Sequence, residues 1–350
     1  MSLKKNVRET NKNYVYKYVW MCSQLSSSKF SIKHLSNLLG VSSASVLRYI
    51  STLIDEGKIK KNEGRNSYAV VSKEYRFEYD YPFPSEDRVW NRDIVNILGD
   101  CFSENAINNA NYIFTEMFNN AVEHSEGTQI KVVVTINDFQ VEILIGDNGV
   151  GIFEKIKQKA GLEEKRYAVL ELAKGKFTAD PSRHSGEGIF FSSKIADNFL
   201  IMSDDMTYAG QFDQEKGLLM DNDKSYNCKG TLVCFSVKSQ TRKNRTKIFA
   251  EYCNNPDSFG FEKTIVAVKL LEEGAKCPMF TSRSQAKRLM ARLDRFKSIV
   301  LDFSEIKFIG QGFADEIFRV FAGEHKDCEI RFINENKDVG NMIKHVIETK

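Results

Sequence analysis

Residues 111–125 read NYIFTEMFNNAVEHS and residues 141–153 read VEILIGDNGVGIF, and these two stretches decide the fold of the middle of the chain. In the first, Ile113, Met117 and Ala121 recur at helical spacing and form a stripe that packs inward. Glu116, Asn120 and His124, spaced i, i+4, i+8, project together from a neighbouring face. An acid and a carboxamide one turn apart can do complementary work. The amide oxygen is a hard ligand suited to Mg²⁺, and the carboxylate can orient or deprotonate a water or hydroxyl. In the second stretch an apolar strand over 141–145 runs into Asp147-Asn148-Gly149-Val150-Gly151. A carboxylate at a strand end can accept a hydrogen bond from an exocyclic amine such as adenine's. Gly149 and Gly151 let backbone and ligand approach without an intervening Cβ.

Two later stretches extend the pattern. At 183–197, RHSGEGIFFSSKIAD sets Gly186 and Gly188 before a helix expected to run through Asp197, where free N–H groups and the helix dipole make an anion site. At 229–237, KGTLVCFSV is another strand. Each motif alone is common: D-x-G-x-G also describes an ordinary turn, and acid plus amide on a helix is usually a solvated face. In this order, with strands between, they are specific.

At these residues the sequence resembles the gyrase, histidine kinase and MutL ATPase superfamily, over about residues 86–240, and within it the anti-sigma-factor serine kinases. The E-x-x-x-N motif of that family falls on Glu116 and Asn120, with Ala121 and His124 also fitting. The adenine-binding D-x-G-x-G falls on Asp147, Gly149 and Gly151, the second glycine motif on Gly186 and Gly188, and a late Gly-Thr on Gly230 and Thr231. The resemblance implies an α/β sandwich with ATP between helices and a mixed sheet. It also implies Mg²⁺ on Asn120, Glu116 as catalytic base, and Thr231 supporting Asp147 and the adenine. ATP and Mg²⁺ are thus the expected cofactors. Residues of about 153–187 become the ATP lid, where Lys174, Lys176 and Arg183 offer cations to the γ-phosphate. At least two of those three read more simply as solvated. His184 reads as a phosphate contact or as a structural turn residue.

Upstream, residues 30–71 read FSIKHLSNLLGVSSASVLRYISTLIDEGKIKKNEGRNSYAVV, after a helical run over 14–25. Ile32, Leu35, Leu38 and Leu39 repeat at helical spacing, Gly40 stops that helix, and Ser42 or Ser43 caps the next. Val46, Ile50 and Leu53, with Leu47 beside them, make the second stripe; Gly57 ends it, and two short strands flank a turn. This order resembles a winged helix-turn-helix. In such a fold the second helix leads into the major groove with its N-terminal residues, here Ser43, Ala44 and Ser45, then Arg48 and Tyr49. Lys60, Lys61 and Arg65 suit phosphate contacts from the wing. Residues 1–75 hold 13 Lys and Arg against 5 Asp and Glu. Such a balance favours a polyanion partner, and DNA is the expectation.

Downstream of about Glu262, short strands and helices alternate: FEKTIVAVKLL, SRSQAKRLMARLDRF, SIVLDFSEI, GFADEIFRVFAG and CEIRFIN. This argues a small α/β layer domain. LDFSEIKFIGQGFADEIFRVF, at 301–321, resembles a STAS domain, the fold of anti-anti-sigma factors. There a serine in the strand–helix loop accepts phosphate. Here the loop Ile309-Gly310-Gln311-Gly312-Phe313 has no hydroxyl, and Ser304 is expected upstream within the strand. Only the fold carries over, and the loop glycines are expected to pack against the ATPase domain.

The expected fold is multidomain α+β: a winged helix-turn-helix at 1–75, an ATP-binding α/β sandwich at 76–245, and a STAS-like domain at 260–350. No stretch reaches the roughly 20 apolar residues of a membrane span, and the N-terminus has no secretory core. Seven cysteines without a C-x-x-C pair argue against a disulfide framework or zinc site. A cytoplasmic protein without a membrane role is expected. Its function reads as a nucleotide-controlled, DNA-binding regulator with slow ATPase activity; the alternative is a serine/threonine protein kinase acting on a separate partner. A protein partner for the STAS-like domain and a homodimer complete the expectations.

Overall fold

The computed structural model describes residues 2–24, 30–63, 67–176, 186–211, 219–221, 228–253, 261–271 and 280–349. The chain forms two compact units, one of Met1–Tyr75 with Val134–Val141, the other of Arg76–Val133 with Glu142–Lys350.

The first unit contains three helices, α1 (Ser2–Gln24), α2 (Ile32–Leu39) and α3 (Ser43–Asp55), and an antiparallel pair, β1 (Ile59–Lys61) and β2 (Tyr68–Val70). The first helix starts well before residue 14, because its polar opening is rich in Lys, Arg and Glu, which are good helix formers. Gly40 ends α2 at φ 61°, donating its N–H to the carbonyls of Ser36 and Asn37. Ser42 is the cap of α3, its hydroxyl accepting from the Ser45 N–H at 3.2 Å. Val15 and Val19 of α1 meet Leu35, Val46, Ile50 and Leu53 in the core, and Phe139 packs on Tyr16 and Trp20 at ring distances of 4.5 and 5.1 Å.

Two residues of the expected stripes lie outside that core: Leu38 is 64% exposed and Leu47 46%. At about 100° per residue, Ile32, Leu35 and Leu39 fall within one narrow face and Leu38 well to its side; Leu47 is likewise rotated away from Val46.

A seven-stranded sheet, most of it in the second unit, is built from β3 (Lys73–Asp80), β4 (Gln129–Asn137), β5 (Gln140–Asp147), β6 (Asn198–Asp204), β7 (Met206–Gln211), β8 (Leu219–Asp221) and β9 (Cys228–Lys238), in the order β3-β4-β5-β9-β6-β7-β8. Ahead of it α4 (Glu86–Val89) begins after Ser85, which makes no side-chain cap bond. α5 (Glu104–His124) is capped by the Ser103 hydroxyl and buries Ile113, Phe114, Met117, Phe118 and Ala121. Between β5 and β6 come α6 (Ile152–Ala160), α7 (Tyr167–Lys174) and α8 (Gly188–Ile195). The last of these stops at Ile195, two residues short of the expected end.

After α9 (Arg245–Glu251) the same unit continues into β10 (Lys263–Ala267), α10 (Arg283–Met290), β11 (Ser298–Asp302), α11 (Gln311–Asp315), α12 (Ala322–Glu324), β12 (Glu329–Ile333) and α13 (Lys337–Glu348). The three strands pair in parallel, in the order β10-β11-β12. The central strand is almost wholly buried, which explains its unbroken apolar run. The strand expected over 261–271 closes at Ala267 and turns into a 3-10 helix. Ser304 sits beyond β11 rather than within it, in a turn where its hydroxyl donates to Asp302 at 2.7 Å. Gly310 packs on Thr281 of its own domain, where a Cβ would come within 2.9 Å of that residue's Cα; the loop glycines therefore do not serve an ATPase contact.

Candidate functional site

Between α5, the end of β5, α6, α7 and the start of α8 lies a cavity of about 340 Å³. Glu116, Asn120 and His124 of α5 line it together, as the helical spacing requires. Asp147, Gly151, Gly186, Gly188 and Thr231 line it too.

Asp147 is the best-defined member. One carboxylate oxygen accepts the N–H of Gly149 at 2.9 Å and that of Thr231 at 3.2 Å, so the turn after β5 and the neighbouring strand β9 together fix its orientation. Burial pushes its carboxyl above the usual carboxylate range, against the lowering effect of those N–H bonds and of the Thr231 hydroxyl. That hydroxyl also accepts the Ile152 N–H at 3.0 Å, capping α6, whose N-cap position is held by Gly151 at φ 84°. Thr231 therefore ties the aspartate to the first turn of a cavity helix. Asn148 serves only the frame, its side chain bonding Thr128 and the Gln129 N–H.

Gly149 does not line the cavity. A Cβ there would come 2.0 Å from the Ser125 carbonyl oxygen, so the residue is small in order to pack β5 against the end of α5. Gly188 has a different close neighbour from the one expected. Its missing Cβ would lie 2.1 Å from a carboxylate oxygen of Glu116. The α8 N-terminus, which the sequence offers to a phosphate, is thus approached by the Glu116 carboxylate, a favourable placement for a negative charge. Tyr112, one turn before Glu116, has its hydroxyl pKa raised by burial and then by the charges of Glu116 and Glu187.

Of the three cations expected in a lid, Lys174 and Lys176 lie among the described residues. Lys174 is neither solvated nor at the cavity: it is 2% exposed, and its ammonium bonds Glu171 at 2.8 Å and the carbonyls of Arg288 and Ala291 at 3.0 and 2.9 Å. Lys176 donates to the Arg295 carbonyl and lies over the Phe296 ring. Arg183 and His184 lie outside the described residues. Cations that sequence reasoning passed over do line the cavity: Lys155 and Lys159, one turn apart on α6, with Lys155 bonding the His124 carbonyl and Glu126. Their spacing within FEKIKQKA was the available signal.

Among the described residues no three His, Cys, Asp or Glu side chains gather to hold a metal by themselves. A hard cation here would draw on the Asn120 amide oxygen together with phosphate oxygens and water, since Mg²⁺ at phosphoryl sites keeps several waters and takes few protein ligands.

In the first unit, Ser43, Arg48, Lys60 and Lys61 are exposed. Ser45 is half-buried and paired with the Ser42 hydroxyl at 3.0 Å, and Tyr49 packs against the core, which withdraws much of its ring from any groove contact. Arg65 lies outside the described residues.

Residues 106–240 match the family of histidine kinase-, DNA gyrase B-, and HSP90-like ATPases. Residues 285–339 match a STAS-like domain of unknown function. No curated protein matches the chain. The protein is therefore mixed α/β with an ATPase domain and a C-terminal STAS-like domain, and the first match supports ATP binding with ATPase- or kinase-type chemistry. No helix among the described residues is long and apolar enough to cross a membrane.

Proposed function

We propose, with that ATPase match as premise, that the chain is an ATP-controlled DNA-binding regulator whose middle domain binds Mg-ATP and hydrolyses it slowly. The observation that carries the nucleotide reading is Asp147: a half-buried, doubly anchored carboxylate at a strand end, opening on a cavity that also holds Asn120 and Glu116. Adenine's amine would donate to that carboxylate. Asn120 is the residue that would hold Mg²⁺, and the bound ion would neutralise charge on the phosphates. Glu116 would take the proton of the attacking water or hydroxyl.

The first unit supports the DNA half of the reading. Its helix–turn–helix order, glycine turn, capped α3 and β pair fit a winged helix-turn-helix, with Ser43 and Arg48 exposed on α3 and Lys60 and Lys61 on β1. A nucleotide can shift such a protein between arrangements only through contacts that differ between them.

Titration calorimetry with Mg-ATP tests the nucleotide reading. Wild-type protein should bind, and Asp147→Asn should bind far more weakly; equal affinity for both removes Asp147 from the adenine site. The serine-kinase reading keeps its place because the cavity chemistry serves transfer to a hydroxyl as well as to water. Label from the γ-phosphate appearing on a second protein, rather than as free phosphate, would favour it.

A further inference from the structure

The cavity wall has a second face. α6 and α7 present Lys155, Ile156, Lys159 and Leu172 to the cavity. The same two helices grip the STAS-like domain. Lys174, at the end of α7, gives its ammonium to the carbonyls of Arg288 and Ala291, which are the free carbonyls at the end of α10. In return Arg292, just past α10, donates to the Ala160 carbonyl at 3.0 Å, the last carbonyl of α6. Glu171 lies between the two cations, one oxygen on Lys174 at 2.8 Å and the other on Arg292 at 3.1 Å. Each domain thus caps a helix of the other, through one shared, 4% exposed carboxylate. An outer rung adds Arg288, bonded to Glu163 at 3.0 Å and lying over the Tyr167 ring.

From this reciprocal clasp we infer that the STAS-like domain is part of the nucleotide switch: its Arg292 is a positioning residue for the cavity wall, and nucleotide binding and domain docking strengthen each other. The inference rests on the nucleotide reading above and deepens it. The clasp has few halfway states. Pulling α10 away strands the Lys174 and Glu171 charges in a site built for a third group, and losing one partner of a buried charge cluster is far costlier than keeping all. Docked and undocked forms are therefore discrete. A ligand that needs α6 and α7 in place favours the docked one, and by linkage docking favours the ligand by an equal factor. Arg292 adopts φ 63°, a left-handed conformation that L residues rarely hold. A glycine would hold that conformation at lower cost.

That conformation also supplies a gentle variant. Arg292→Gly deletes the Arg292 half of the clasp, its bonds to Glu171 and to the Ala160 carbonyl, while easing the backbone. Calorimetry with Mg-ADP on the full chain should show its affinity lowered about five- to a hundredfold, the usual range of such couplings. Hydrogen exchange of the 283–291 amides in wild-type protein should slow with Mg-ADP, and that slowing should vanish in Arg292→Gly. Arg288→Ala should show both effects in milder form. Arg283→Ala, which breaks only an ion pair to Asp315 inside the STAS-like domain, should show neither. Arg292→Gly binding Mg-ADP within about twofold of wild type would overturn the inference while leaving the nucleotide reading intact. Weakened binding without any wild-type effect of Mg-ADP on 283–291 would also overturn it, leaving Arg292 as a mere prop. No binding by the wild-type protein overturns the nucleotide reading and this one together.

Discussion

Asp147 is held against its own ionisation. Because burial raises its pKa in the folded protein, its charged form costs native stability at every pH above the unfolded value, and neutralising it relieves that cost. An amide oxygen can still accept the Gly149 and Thr231 N–H groups. Asp147→Asn should therefore leave the melting temperature unchanged or raised while lowering nucleotide affinity by about 1.5–3 kcal/mol, the usual worth of a hydrogen bond to a charged group. The same linkage sets a pH dependence. The ionised carboxylate is a stronger acceptor for adenine's amine than the neutral acid, so adenosine affinity should be highest above Asp147's raised pKa and fall as pH drops through it. Calorimetry across the acidic range should show that fall in wild type and a flat profile in Asp147→Asn. Glu116→Ala removes a negative charge from beside the α8 N-terminus, so Mg-ATP should bind at least as well while turnover drops about a hundredfold or more. Gly149→Ala separates packing from ligand contact: a clash with Ser125 predicts about 1–3 kcal/mol of lost stability in chemical denaturation.

At the scale of elements, the amphipathic helices and apolar strands were legible because burial imposes a period on the sequence. α5 is the clearest case, with one stripe against the sheet and Glu116, Asn120 and His124 on the cavity face. Leu38 and Leu47 show the limit, since an apolar residue at helical spacing is buried only if a neighbour covers its particular angle. Lys174 shows another. A lysine in a glycine-flanked, polar-looking stretch reads as solvated, and nothing local announces the carbonyls of Arg288 and Ala291, more than 110 residues away, that accept its hydrogen bonds. For Glu116 the motif named the residue but not its neighbour, because the approach to Gly188 exists only after α5 and α8 are packed. The exposed lysines of β1 belong to this scale as well. Lys60→Glu with Lys61→Glu should reduce the salt dependence of DNA binding by about one logarithmic unit of slope for each phosphate no longer neutralised. Electrophoretic mobility shifts over a salt series would measure it, and no DNA binding even at low salt would end the regulator reading.

Over the whole molecule, the two matched regions are separated in sequence, from 240 to 285, yet are stitched together by more than charge. Phe191 of α8 stacks on Phe249, Phe190 packs against Tyr252 and Phe261, and Phe261 meets Phe296 of the STAS-like side edge-on. A fragment cut where the ATPase match stops would shed most of those rings and lay bare the rest, along with the Glu171–Lys174 pair. Such a fragment should bind hydrophobic dyes and precipitate on warming, where the intact chain does not. The evolutionary corollary is that recombination cannot trade this ATPase for another at its apparent border: the heritable cassette is the pair, and any lineage that lost one half would have to resurface the other.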